Sequence, residues 1–220
     1  MLESERTFVQ FSCSSVWRSG KRRKMRKGTA ERRLQILEAA VHCFIKQGYH
    51  QTGMRDVAAQ ARVSLGNVYN HFAGKEEILA TIAGLEAEEL AVFVSQLRGE
   101  GDPTLRLERF VADYAAYSGQ ADNALLSLEI VAAAAREPKM AALFLGNRQK
   151  LVEALAALVG EFRQSADGLA AQEEVARLLL DTMEGQAIRM VIEGRKPNET
   201  EMSTLQHFAL AAVSGAAITD

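Results

Sequence analysis

Proline most sharply limits how this chain can fold: only three occur in 220 residues. Pro103, Pro138 and Pro197 each fall between stretches whose apolar residues recur at three- and four-residue spacing, so they punctuate helices instead of breaking them. No strand-like alternation, internal repeat or low-complexity tract stands out. With Ala, Leu, Glu and Arg abundant, the pattern predicts an all-α protein. Its length exceeds what one short recognition module needs, and a 48% hydrophobic fraction supports a true core, so two folding units are expected. The longest apolar stretch, around residues 130–135, is far below the roughly 20 residues of a membrane span. Two isolated cysteines, Cys13 and Cys43, make no disulfide framework, and the N-terminus lacks the apolar block and small-residue cleavage site of a signal peptide. A reducing cytoplasm is the expected location.

A net charge of −2 conceals a strong asymmetry. Residues 1–20 balance, residues 21–76 hold 12 basic and 4 acidic side chains, and residues 77–220 hold 12 and 22. A basic unit joined to an acidic one points the first toward a polyanion, with nucleic acid favoured because phosphate neutralisation releases counterions. A solvated surface with segregated charge is the plain alternative.

Punctuation and periodicity divide the chain into a flexible basic arm (1–28), a three-helix unit (29–76) and a helical remainder (77–220). The arm holds six basic residues in Lys21–Lys27, and Met25, just before the first helical pattern, is a candidate translation start. From Thr29 the residues Leu34, Leu37, Val41, Phe44 and Ile45 mark a helix that stops at Gly48, suited to a left-handed backbone. Two short helices follow, Met54–Ala61 and Leu65–Phe72, with Thr52 and Ser64 placed to cap them. Only a few residues separate the pair, the spacing of a helix-turn-helix whose first helix braces the second against DNA. Longer helices are expected at 75–98, 104–118, 122–136, 139–163, 170–193 and 199–217.

In the second short helix, Val68 and Phe72 lie within about 40° of each other at 100° per residue and define the buried side. Gly66, Asn67 and Asn70 then point away from it. Asn67 and Asn70 each carry the donor and acceptor pair that matches an adenine edge, and Gly66 permits close approach. Leu65 offers an apolar contact to a thymine methyl. These four are the candidate base contacts. Thr52, Arg55 and Ser64, at helix starts, are candidate phosphate contacts.

Residues 48–58 (GYHQTGMRDVA), 63–72 (VSLGNVYNHF) and 75–79 (KEEIL) together resemble the DNA-binding domain of the tetracycline-repressor (TetR) family of transcriptional regulators. The likeness covers about residues 30–80. One position departs: Arg62 stands in the turn where that family usually has Gly, and a left-handed backbone there would cost about 1 kcal/mol. The resemblance implies phosphate contacts for Tyr69, His71 and Lys75. It also implies that residues 77–220 form a domain for small-molecule effector binding and homodimerisation. The function so implied is a ligand-responsive regulator, a repressor that binds a palindromic double-stranded DNA operator as a dimer and is released by its effector.

Within that remainder the sequence offers candidates only. Phe110, Tyr114 and Tyr117 share one helix face, with Phe93, Leu97, Met140, Phe144 and Met183 as pocket neighbours or plain core. Glu129 is a polar residue in an apolar helix, able to receive a cationic ligand or to pair with an Arg. For the dimer contact the candidate faces are Leu178, Thr182, Gly185 and Ile192 on one helix and Leu205, Phe208, Ala209 and Ala212 on the next.

Enzyme readings find no support. No Glu-x-x-His pair, His-Glu-x-x-His, Cys-x-x-Cys, P-loop or Gly-x-Ser-x-Gly occurs, so no metal, cofactor or catalytic residue is expected. A helical protein-interaction module without sequence-specific DNA binding is the remaining alternative. Steep salt dependence combined with discrimination between DNA sequences separates the two.

Overall fold

The computed structural model describes residues 27–163 and 168–215. The basic run before Lys27, Met25 and Cys13 lie outside the described residues. Nine helices are present among the described residues: α1 (Lys27–Gln47), α2 (Met54–Gln60), α3 (Leu65–Tyr69), α4 (Lys75–Leu97), α5 (Pro103–Ser118), α6 (Ala121–Ala134), α7 (Pro138–Phe162), α8 (Leu169–Ile192) and α9 (Glu199–Ser214). Pro103 and Pro138 occupy first helical positions, where a missing N–H costs nothing.

Two compact units emerge. The first comprises residues up to 89 together with 126–144, and the second comprises 90–125 and 145 onward. Each has its own core. In the first, Ile36, Leu37, Ala40 and Phe44 of α1 pack with Val57 and Ala58 of α2, Val68 of α3, Ile78, Leu79 and Ile82 of α4, and Ile130, Ala133 and Met140. In the second, Phe93 and Leu97 pack with Leu107, Phe110 and Val111 of α5, Leu151, Leu155 and Val159 of α7, Leu179, Leu180 and Met183 of α8, and Leu205, Ala209 and Val213 of α9.

Helix ends follow local chemistry. α1 stops where Gly48 adopts φ 89°, as its sequence predicts. α2 begins one residue later than the expected cap implies: Gly53 is the N-cap, and Asp56 Oδ2 accepts its backbone N–H at 2.7 Å. Thr52 is therefore not a cap. It is only 2% exposed, and its hydroxyl donates to the Gly48 carbonyl at 2.8 Å. Ser64 does cap α3, accepting the Asn67 N–H at 3.2 Å. α3 ends at Tyr69 rather than Phe72, yet the Phe72 N–H still donates to the Val68 carbonyl at 3.0 Å. Both side chains thus stay on the buried side.

The turn between α2 and α3 is closed at Arg62, with φ 54°. Its N–H donates to the Ala59 carbonyl at 3.1 Å, and the Val63 N–H donates to Ala58 at 3.0 Å, the paired bonds of a Schellman ending. Gln35 of α1 adds a bond from Nε2 to the Ala61 carbonyl at 2.7 Å. Arg62 is held in the left-handed region because both bonds need it there. Replacing Arg62 with Gly is expected to stabilise the chain by about 1 kcal/mol, and replacing it with Val to destabilise it, as read by thermal and urea melting.

At the other end of the chain, α8 and α9 are joined by an ion-pair network. Arg195 contacts Glu193 at 2.8 Å and Glu201 at 2.7 Å, while the Asn198 N–H donates to Glu201 at 3.0 Å. The Arg195 hydrogen bond and the Asn198 N–H hold the Glu201 carboxyl down to about 2 from an ordinary 4.5. A depressed carboxyl pKa stabilises the folded state above the ordinary value and loses that effect as pH falls through about 2. NMR titration is expected to place Glu201 near 2. Arg195→Gln should return it toward the ordinary carboxylate range.

Candidate nucleic-acid interface

α3 has five residues, far too few to be helical alone, so its geometry is imposed by the first unit. Val68 and Phe72 anchor it in the core. From α1, Arg33 donates to the His71 carbonyl, stacks over the Phe72 ring with its guanidinium carbon 3.9 Å from the centroid, and reaches Thr81 Oγ1 at 3.1 Å. Glu77 lies 3.8 Å from the same guanidinium. Arg33 therefore ties the end of α3 to α1 and α4. Sequence reasoning passed over it, because contacts 38 and 48 residues apart leave no local signal.

Opposite this anchored side, Gly66, Tyr69 and Asn70 are exposed, Tyr69 to 52%. A Cβ built on Gly66 would meet nothing within 4 Å, so this part of the face is open. The other base-contact candidates are less free. Leu65 is half-buried and packs against the core. Asn67 is also half-buried, and its side-chain oxygen is shut away from solvent without a hydrogen-bond partner. Pairing with a base edge requires that amide to turn outward.

The candidate phosphate contacts divide in the same way. Arg55, Ser64 and Tyr69 are exposed and His71 is half-buried. Thr52 is buried with its hydroxyl committed to Gly48. Lys75 opens α4 but points back at the α1–α2 turn. Its ammonium donates to the carbonyls of Tyr49 at 2.9 Å, His50 at 3.2 Å and Thr52 at 3.3 Å, and sits 4.5 Å from the Tyr49 ring centroid. Those three bonds use every proton it has.

The effector-pocket candidates fall into both units. Phe93, Leu97, Phe110, Tyr114, Tyr117 and Met183 belong to the second core, where Phe93 lies edge-on to Tyr114 at 5.3 Å and Phe110 stacks on Tyr114 at 5.4 Å. Met140 and Phe144 pack in the first core, and Glu129 lies in the first unit. The Glu129 Oε2 accepts the Tyr49 N–H at 2.9 Å. In the second unit a polar chain links α5, α7 and α8. The Tyr114 hydroxyl donates to Glu184 at 2.8 Å, and Arg148 bridges Glu184 at 3.3 Å and Asp181 at 2.8 Å. Burial, and then the charge of Glu184, hold the Tyr114 phenol well above its usual range, so it is a neutral donor.

The dimer candidates also separate. On α8, Leu178, Thr182, Gly185 and Ile192 face outward, Leu178 at 56% and Ile192 at 79% exposure. On α9, Leu205 and Ala209 are buried in their own core, while Phe208 and Ala212 are half-buried.

A braced short helix with an open, polar outer face, joined to a second all-helical unit, defines the class: a helix-turn-helix DNA-binding regulator. The model of bacterial regulatory proteins of the tetR family matches residues 36–82. The HTH-type transcriptional activator FasR of Mycolicibacterium smegmatis is 38% identical over 93 residues, 42% of this chain and 42% of FasR. The HTH-type transcriptional regulator UidR of Escherichia coli K12 is 28% identical over 137 residues, 61% of this chain and 68% of UidR. The fold matches that of a TetR-like transcriptional regulator from Rhodococcus sp. RHA1, with TM-score 0.67 and 22% identity over 84% of this chain and 97% of that one. It also matches FadR of Bacillus subtilis, solved in complex with stearoyl-CoA, with TM-score 0.63 and 19% identity over 83% and 98% of the two chains. The match to that family's model lies in the part of the chain that carries α2 and α3. These relatives are transcriptional regulators rather than enzymes.

Gly66 offers a direct test of the open face. Gly66→Ala is expected to raise the melting temperature, because Ala favours helix over Gly by up to about 1 kcal/mol and no atom blocks it. The same methyl is expected to weaken DNA binding, since it holds the backbone off the groove. Affinity equal to that of the unsubstituted protein would remove Gly66 from the interface.

Proposed function

We propose that the protein is a homodimeric, ligand-responsive transcriptional repressor of the cytoplasm, which binds a palindromic operator and is released by a small-molecule effector. The observation that carries this reading is the polarity of α3, with Val68 and Phe72 buried and Gly66, Tyr69 and Asn70 exposed on the opposite side. Asn70 and Gly66 then approach base edges, with Asn67 and Leu65 beside them, and Arg55, Ser64, Tyr69 and His71 follow the phosphates. Among the described residues no helix is long and apolar enough to cross a membrane, which is compatible with that location.

The effector domain of this reading is the second unit. Its aromatic cluster of Phe93, Phe110, Tyr114 and Tyr117 supplies apolar surface, and the Tyr114–Glu184–Arg148 chain supplies polar specificity beside it. Release requires the effector to prefer the DNA-incompetent state, because equal affinity for both states shifts nothing. The stearoyl-CoA seen with Bacillus FadR makes acyl-CoA esters the first probes to titrate. FasR is named an activator, which favours a second reading in which the effector strengthens DNA binding.

Selection of bound duplexes from random DNA is expected to return an inverted repeat, followed by an acyl-CoA titration of the selected complex. Random recovery without a consensus would overturn the reading. The dimer contact is tested by Gly185→Arg on the outward face of α8. Sedimentation should then give a monomer, with operator affinity reduced by roughly 100-fold as the linked second half-site is lost.

A further inference from the structure

Residues 48–52 form the turn between α1 and α2, and side chains distant in sequence hold it. The Tyr49 N–H, on a residue only 1% exposed, is satisfied by the Glu129 carboxylate of α6 at 2.9 Å. The carbonyls of Tyr49, His50 and Thr52 are satisfied by the Lys75 ammonium of α4 at 2.9, 3.2 and 3.3 Å. The Gly48 carbonyl accepts both the N–H and the hydroxyl of Thr52, at 3.1 and 2.8 Å. The Tyr49 ring, wedged edge-on to Phe44 at 5.2 Å, presents its face to the same ammonium. These contacts fix where α2 starts. α2 packs on α3, so they also fix where α3 lies.

We propose that Lys75 and Glu129 are positioning residues for DNA recognition, which pin the 48–52 turn through its backbone groups and do not themselves touch DNA. The inference rests on the DNA-binding reading above and deepens it. It departs from the family resemblance, under which Lys75 contacts a phosphate. A lysine whose three protons already serve backbone carbonyls has none left for an oxyanion. Glu129, being acidic, would repel a phosphate rather than bind one. Its use is the buried N–H, which would otherwise be left without an acceptor.

The experiment compares Glu129→Leu, Glu129→Gln and Lys75→Met with the unsubstituted full-length chain, on the duplex that chain selects from random DNA. Affinity is measured across a salt series, and each variant's melting transition confirms that it is folded. Glu129→Leu is expected to bind on the order of tenfold more weakly, with the slope of log affinity against log salt unchanged. Glu129→Gln keeps an acceptor oxygen and should recover affinity to within about twofold. Lys75→Met should also weaken binding without lowering the salt slope, whereas loss of a true phosphate contact lowers it by about 0.9. Should Lys75→Met fail to fold, the Glu129 pair decides alone. Wild-type affinity in Glu129→Leu, or a slope reduced by about 0.9 in a folded Lys75→Met, overturns the proposal. Failure of the unsubstituted chain to select any duplex overturns instead the DNA-binding reading on which it depends.

Discussion

The position of α3 depends on how the backbone groups of two short turns are satisfied. A five-residue helix contributes almost no stability of its own, since helix nucleation is costly and only a single turn is formed. Its place is dictated by the Schellman bonds at Arg62, the Ser64 cap, the Arg33 bond to the His71 carbonyl, and the burial of Val68 and Phe72. α2 is scarcely longer and depends in turn on the turn before it. The first unit therefore behaves as a set of turns braced by α1, α4 and α6. Buried donors or acceptors without partners would cost about 1–3 kcal/mol each, which is enough to move a small helix.

The helices that brace these turns do not all end within the first unit. α4, α6 and α7 each contribute residues to both units. Phe93 and Leu97 lie in the second core on the same helix that carries Lys75, while Glu129 is in the first unit on a helix that begins in the second.

Much of the fold was legible in the sequence, because its information was local. Periodicity and three prolines located the helices, Gly48 predicted a left-handed stop, and Ser64 predicted a cap. Arg62 was legible as a departure from a usual glycine, and the structure gives it the positive φ that glycine would serve. What was not legible involved partners distant in sequence. Thr52 looked like a cap, but Asp56 satisfied the neighbouring Gly53 instead and left Thr52 to be buried. Lys75 looked like a surface cation at a helix start, yet its carbonyl partners lie 23–26 residues earlier. Glu129 and Tyr49 are 80 residues apart, and Tyr114 and Glu184 are 70 apart, so neither pairing has a sequence signature.

The same limit applies to the faces of α8 and α9. Both carry apolar rows, and a row alone does not reveal whether it is turned to its own core or to a partner. Burial separates them: Leu205 and Ala209 are consumed inside the second unit, so they have no surface left to offer. On α8, Leu178, Thr182, Gly185, Arg189 and Ile192 fall within about 80° of arc at 100° per residue, a single outward stripe. Arg189, the charged member, is drawn to Glu193 at 3.0 Å and Glu201 at 3.8 Å, which keeps its charge matched inside its own chain. Gly185 at the middle allows close approach of a second backbone. A two-fold axis through that point would place each Leu178 near the far end of its counterpart, so the proposed dimer contact is centred on α8, with the half-buried Phe208 and Ala212 as what α9 has left to offer.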